Sequence, residues 1–481
     1  MKVDLGALAD QVMKQKGLET EFSKEAIEQL QSIHSPAKPL GAPCEDLRSL
    51  LFSSIDNSNS RDLDQLTYAQ KNSDGTRTLW IAVADAEALI GKNTPIDTHA
   101  QINSTSVYTP AKIFPLLPEK LSFDWTSLNE QEDRLAICVK IQIDSSLQMQ
   151  NVSIFQAMVK NYAKLTYHHL GEWLAGRALL PEKVGKIAGL EKALLFQHET
   201  AQLMQQKRHL LGSLTLHPIE IEARFTEDLH IYFEPPPHNY AHQLIESFMI
   251  AANIAIARQL RKANTPSLRR VVRTPKRWER IVAIARSFGT LLPQNPDPKA
   301  LDDFLLLRKT KDFESFQDLS LIMIKLLGRG EYVVEMPNAP PLGHFNLGIS
   351  EYTHSTAPNR RFADLMSIRQ CKALILGKAN PYSLDELNFL ARHCTQKEEA
   401  ALKVERHLNK SAAALYLASS IGKKFDAIIT GSSNKGTWAR ISSPPVEGRV
   451  VQGYEGVDVG DRVQIVLESV DIAKGFINFI I

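Results

Sequence analysis

Ile55-Asp56-Asn57-Ser58-Asn59-Ser60-Arg61-Asp62-Leu63-Asp64-Gln65-Leu66 sets three carboxylates, Asp56, Asp62 and Asp64, within nine residues beside an otherwise apolar segment. Carboxylates held close resist joint ionisation unless a cation compensates, and Mg²⁺ prefers such hard oxygen ligands while keeping several waters. If the segment is extended, Asp62 and Asp64 share one face and Asp56 reaches back from the preceding turn. Runs of Asp, Asn and Ser are also ordinary turn formers, so a plain turn stays open as the alternative. An EF-hand is excluded: counted from Asp56, the position that needs Gly holds Arg61 and the one that needs Glu holds Thr67.

The rest of the chain bounds the setting. Its 481 residues, 43% hydrophobic and 23% charged, are ordinary for a globular protein of about two to four domains. A net charge of +2 means that a polyanionic partner must be held by local basic patches. Cys44, Cys138, Cys371 and Cys394 are scattered with no CxxC pair, which argues against a disulfide scaffold or structural zinc and fits a reducing, cytoplasmic setting. The start lacks the apolar core of a secretory signal. The longest apolar stretch, around Phe248 to Ala257, contains Asn253 and is too short to span a bilayer, so no membrane association is expected.

Leu5, Leu8 and Val12, then Ile27, Leu30 and Ile33, stand at helical spacing and predict one or two short N-terminal helices. A Pro-containing connector, Ser35 to Pro43, leads into strand-like text from Leu50 and through Thr78 to Ala84. Helical patterns are expected from Val152 to about Arg286, broken by Pro235-Pro236-Pro237 and by strand-like Ile219 to Phe233. Past Lys423 come short β-like runs, Phe425–Thr430, Thr437–Ile441, Arg462–Val470 and Phe476–Ile481, separated by Gly-containing turns. Five such strands in about sixty residues suggest a small closed barrel of the OB type.

In this order the chain resembles the RNase II family, whose catalytic RNB domain is followed by an S1-type OB barrel. The resemblance runs collinearly through Ile55–Leu66, Trp80–Asp85, Thr105–Tyr108, Leu116–Ser122, Ser127–Leu128, Asp133–Ala136, Ile245–Asn253, His344–Phe345 and Tyr352–Leu365. It implies an α+β fold in three parts: a helical segment and connector over 1–45, a large mixed RNB domain over 46–420 and an S1-type OB domain over 421–481. It implies hydrolysis of single-stranded RNA from the 3′ end to nucleoside 5′-monophosphates, with Mg²⁺ or, as the other candidate ion, Mn²⁺. A monomer without an organic cofactor is expected.

By the same resemblance Asp56, Asp62 and Asp64 are metal carboxylates, with Gln65 beside them, and Asp64 and Arg360 are catalytic. A guanidinium at 360 matches phosphate bidentately, the alternative being a salt bridge to Asp364 at helical spacing. Tyr108 matches an aromatic that stacks on the terminal nucleotide. Glu405 matches an acid near the 3′ end, Glu246 a base or ribose contact, and Arg361 either a structural residue or a phosphate contact. In the barrel Trp438, Arg440 and Lys435 stand where such modules stack bases and touch phosphates, a core position for Trp438 being equally open. Asp85, in an apolar strand, is expected to accept hydrogen bonds in the core. The basic run from Arg258 to Arg280 lines an RNA channel or forms a solvated helix face.

Two departures from the family stand out. Most members follow the last Asp of the cluster with another Asp, whereas this chain has Gln65, which offers only a neutral carbonyl oxygen. The consequences, in order of preference, are a slower enzyme, a different metal preference, or an RNA-binding protein that keeps the fold but not the turnover. Second, cold-shock barrels that precede the catalytic domain in typical members do not fit in the first 45 residues. A more open RNA entrance is therefore expected.

Overall fold

The computed structural model describes residues 4–39, 43–217, 222–225, 231–234, 239–433 and 436–481. Its frame is a seven-stranded sheet that runs, edge to edge, Cys44–Asp46, Met149–Lys160, Asp133–Ile143, Arg77–Ala84, Gln65–Lys71, Ser53–Asp56 and Ala163–Thr166. Neighbours are antiparallel except at the two edges, where Cys44–Asp46 and Ala163–Thr166 pair in parallel. Arg77–Ala84 lies in the middle, and its Leu79–Ala84 part reads as an unbroken apolar run because both of its faces are covered. Leu79, Ile81 and Val83 face one cluster, and Trp80, Ala82 and Ala84 face the other.

The first face is covered by the helices Leu190–Leu210 and Tyr240–Lys262. Tyr240–Lys262 starts where the Asn239 side chain accepts from the backbone N–H of Ala241 and His242. Its small residues Ala251, Ala252 and Ala255 pack it against the sheet. The helical reading from Val152 is corrected at its start: Met149–Lys160 is a strand, paired along its length with Asp133–Ile143, and helix begins only at Tyr167. Short apolar runs do not separate the two periods, and tertiary pairing decided here.

A helix of 34 residues, Leu384–Leu417, forms a spine about 50 Å long. It opens with a capping box, Ser383 and Glu386 each closing the other's backbone N–H. The N-terminal helix Leu5–Gln15 packs on its middle, and its last turns, Ala413, Ala414 and Leu417, enter the core of the terminal barrel. That barrel is closed by five strands, Lys424–Ser433, Gly436–Ile441, Glu447–Gln452, Arg462–Asp471 and Phe476–Ile480. It meets the body again where Arg440 pairs with Asp318 at 2.5 Å. Pro235-Pro236-Pro237 and Lys435 lie outside the described residues. Among the described residues no helix is long and apolar enough to cross a membrane.

Candidate active site

Asp56 ends the strand Ser53–Asp56, and residues 57–64 form a loop rather than the extended strand considered from sequence. Five hydrogen bonds shape that loop. The Leu63 N–H donates to Ser127 Oγ, and Ser127 Oγ donates to the Arg61 carbonyl. The Leu63 carbonyl accepts from the Leu128 N–H, and the Asp64 carbonyl accepts from the Ala84 N–H. Lys164, beside Ser54 on the parallel edge strand, donates from Nζ to the Ser60 carbonyl at 2.5 Å.

Asp64 is buried, 2% exposed, and its Oδ1 accepts the Asn359 N–H at 2.9 Å. Its Oδ2 has no hydrogen bond and lies 3.5 Å from Arg360 Nε. Arg360 is half exposed and is aimed by its own backbone, whose carbonyl accepts from the Ser106 N–H and Thr105 Oγ1. The stretch Tyr352–Leu365 is thus a brace. Asn253 Oδ1 accepts from the Ser355 N–H and hydroxyl, Asp364 accepts from the Ala357 N–H, and Asn359 then presents its N–H to Asp64.

Arg361 makes the ion pair with Asp364 that the sequence left open for Arg360, at 2.8 Å and fully buried on the carboxylate side. That pairing fits the structural alternative for Arg361, and the side chain is 21% exposed. Tyr108 sits in a two-strand hairpin, Val107–Tyr108 with Ile113–Phe114. Its hydroxyl donates to Asp62 Oδ2 at 2.6 Å, its N–H donates to Glu405 Oε1 at 2.9 Å, and the residue remains 38% exposed.

Burial, with the charge of Asp62 beside it, pushes Asp56 up to about 7, against the opposing pull of Arg360 and Lys164. Burial likewise holds Asp64 well above the ordinary carboxylate range, with Arg360 acting the other way. Burial and the neighbouring Asp62 raise the Tyr108 phenol. Among the described residues no three His, Cys, Asp or Glu side chains are gathered so as to hold a metal ion. Asp62 Oδ2 is taken by the Tyr108 hydroxyl, which leaves the other oxygen of that carboxylate open. A smaller set of oxygens stands apart from such a group. Asp56 Oδ2 and Asp64 Oδ2 are both buried without a hydrogen-bond partner, and both carboxylates feel the same Arg360 and Asp62. Mg²⁺ is commonly bound by one or two carboxylates plus waters and substrate phosphate.

Other expected residues fall elsewhere. Gln65 opens its strand in register with Val83 and makes no hydrogen bond through its side chain among the described residues. Glu246 is exposed on its helix, and its charged company is Arg208. Trp438 lies on the barrel's outside, since Thr437, Ala439 and Ile441 alternate inward, and it covers Gly431. Arg440 is tied to Asp318, and Asp85 accepts from Lys372 at 3.0 Å and Gln156 at 2.9 Å inside the core. Much of the basic run is paired: Arg261 with Glu351, Arg269 with Glu335, Arg270 with Glu398 and Arg273 with Glu331. Lys276, Arg277 and Arg280 are exposed. Arg277 and Arg280 border a cavity of about 1190 Å³ between the helices and the barrel. Lys164, Ser127 and Asn359 are the site residues that sequence reasoning missed.

A mixed sheet capped by helices, joined through a long helix to a five-stranded barrel, with buried carboxylates facing an arginine, defines an RNB-type catalytic body carrying an S1-type module. The chain belongs to that family: the model described as RNB domain matches residues 44–377, and the one described as RNase II-type exonuclease C-terminal S1 domain matches residues 423–480. It is similar to Ribonuclease R of Escherichia coli (strain K12), 28% identical over 470 residues that cover 90% of this chain and 57% of the relative. The chain thus spans little more than half the length of that curated relative. Mycoplasma genitalium RNase R, solved in apo form and in complex with ribose methylated single-stranded RNA, shares the fold. Its TM-score is 0.87 at 22% identity, over 99% of this chain and 78% of that one. Yeast Ssd1, described as a pseudonuclease, shares it at TM-score 0.72 and 18% identity, over 93% of this chain and 56% of that one.

Proposed function

We propose that this chain is a divalent-cation-dependent exoribonuclease that removes nucleoside 5′-monophosphates one at a time from the 3′ end of single-stranded RNA. The observation that carries the reading is the pair of buried oxygens on Asp56 and Asp64 that accept no hydrogen bond, beside the half-exposed Arg360. Buried carboxylate oxygens without hydrogen bonds are expensive, and a cation relieves that expense.

Asp56 and Asp64 would hold Mg²⁺, which when bound supplies a nucleophilic water near neutral pH and a counter-charge for the phosphate. Water attacks phosphorus, the bond from phosphorus to the 3′ oxygen of the penultimate nucleotide breaks, and that oxygen leaves with a proton. Arg360 offers its guanidinium to the non-bridging oxygens as charge gathers on them. Tyr108 presents its exposed ring to the terminal base, a contact tolerant of sequence, while Asp62 and Glu405 fix its two ends. Arg277, Arg280 and Lys276 are free of ion pairs among the described residues and suit phosphates farther along the strand.

A second reading, an RNA-binding protein with little or no turnover, is favoured by one observation: Gln65 stands where most of the family has a further Asp. The two separate on 3′-labelled single-stranded RNA with Mg²⁺. Labelled mononucleotide appearing from the first turnover, and abolished by Asp64→Asn, supports hydrolysis. A mobility shift without mononucleotide supports the second reading.

A further inference from the structure

The hairpin that carries Tyr108 has only two paired residues on each strand, and a hairpin of that size does not hold its shape alone. Its turn is closed locally by Thr109, whose N–H and hydroxyl both donate to the Lys112 carbonyl. Its placement comes from outside. Val107 and Phe114, one from each strand, are buried in a cluster with Leu8, Val12 and Met13 of the helix Leu5–Gln15. Val404 and Leu408 of the spine helix complete that cluster and flank Glu405, the acceptor of the Tyr108 N–H. Asp10 pairs with Lys112 at 2.9 Å, so the same short helix grips the hairpin through both charge and packing.

The N-terminal segment is itself anchored independently of the hairpin. Lys397 donates to the Gly17 carbonyl. The Glu19 backbone exchanges two hydrogen bonds with the buried Asn103 side chain. The helix is therefore wedged between a fixed anchor and the hairpin.

We propose that the helix Leu5–Gln15 is a positioning element for Tyr108, setting the aromatic face on which the RNA terminus stacks; this rests on the function proposed above. Tyr108 is tied to Asp62 at its hydroxyl, so displacement of the hairpin also disturbs the loop that carries Asp64. Leu8 and Val12 touch no reacting group and act only through the hairpin.

The test uses the full chain in chelator, so that RNA binds without turnover, and compares it with Leu8→Ala/Val12→Ala. Hydrogen exchange at the Tyr108 amide should be at least about tenfold faster in the variant. Quenching of a 2-aminopurine at the RNA 3′ end should be lost, while a 2-aminopurine placed several nucleotides upstream keeps its quench. Exchange or terminal quench unchanged in the variant overturns the inference alone. No terminal quench in the parent overturns the function and the inference together. Lys112→Glu, a change at an exposed side chain, should weaken the terminal quench by roughly threefold, and adding Asp10→Lys should restore it. Failure of that restoration removes the charge contact from the proposal.

Discussion

Replacing Asp56 by Asn should make the metal-free protein more stable at alkaline pH, and the size of the effect follows from burial. The Asp56 carboxyl is pushed up to about 7 from an ordinary 3.8. A group that holds its proton more tightly when folded stabilises the fold at low pH. That contribution is complete below about pH 4 and is lost as pH rises through about 7. At 1.36 kcal/mol for each factor of ten, the gap between 3.8 and about 7 weakens the fully ionised fold by about 4 kcal/mol, of which about 3 kcal/mol falls between pH 5 and pH 8. Asn keeps the shape without the ionisation. Urea unfolding in chelator should therefore show the parent losing about 3 kcal/mol more than Asp56→Asn between those two pH values. At pH 8, Mg²⁺ at a hundredfold excess over its Kd should return about 2.7 kcal/mol to the parent and little to the variant. Parallel behaviour of the two proteins across pH, with an equal response to Mg²⁺, would refute the reasoning.

Three further outcomes follow from the site. Arg360→Lys, which exchanges a planar fork for a point charge, should lower kcat about 10²- to 10³-fold in single-turnover assays and leave RNA affinity within a few-fold. Arg361→Ala leaves the buried Asp364 unpaired and should cost about 3–5 kcal/mol in denaturant unfolding, marking it as structural. Tyr108→Ala should weaken binding of an RNA 3′ end by about 1–3 kcal/mol, read by competition with a 3′-blocked strand.

The sequence carried the barrel well, because alternation such as Thr437, Ala439 and Ile441 inward against Trp438 and Arg440 outward is a local signal. The spacing of Asp56, Asp62 and Asp64 and the family motifs likewise named residues that the fold brings close to Arg360 and Tyr108. What local text could not carry was the partner of each group. Lys164 reaches the loop because its strand pairs with the one at Ser54, although it stands 104 positions from its acceptor Ser60. Two adjacent arginines of equal propensity divide their roles only because the backbone at Ser104 to Ser106 turns Arg360 outward and Arg361 inward. Asp62 was grouped with its neighbours by spacing, and its hydrogen bond from the Tyr108 hydroxyl, 46 positions away, could not be read there. The basic run looked like a channel lining because the acids that neutralise it, Glu331, Glu335, Glu351 and Glu398, lie up to 128 positions away.

Crystals soaked in Mn²⁺ and measured at its absorption edge address the pair of buried oxygens without any assay of turnover. An anomalous peak about 2.0–2.3 Å from both Asp56 Oδ2 and Asp64 Oδ2, within reach of a phosphate held by Arg360, is the expected result. A soaked crystal with no peak there, or with the ion bound elsewhere and those two oxygens still apart, would contradict it.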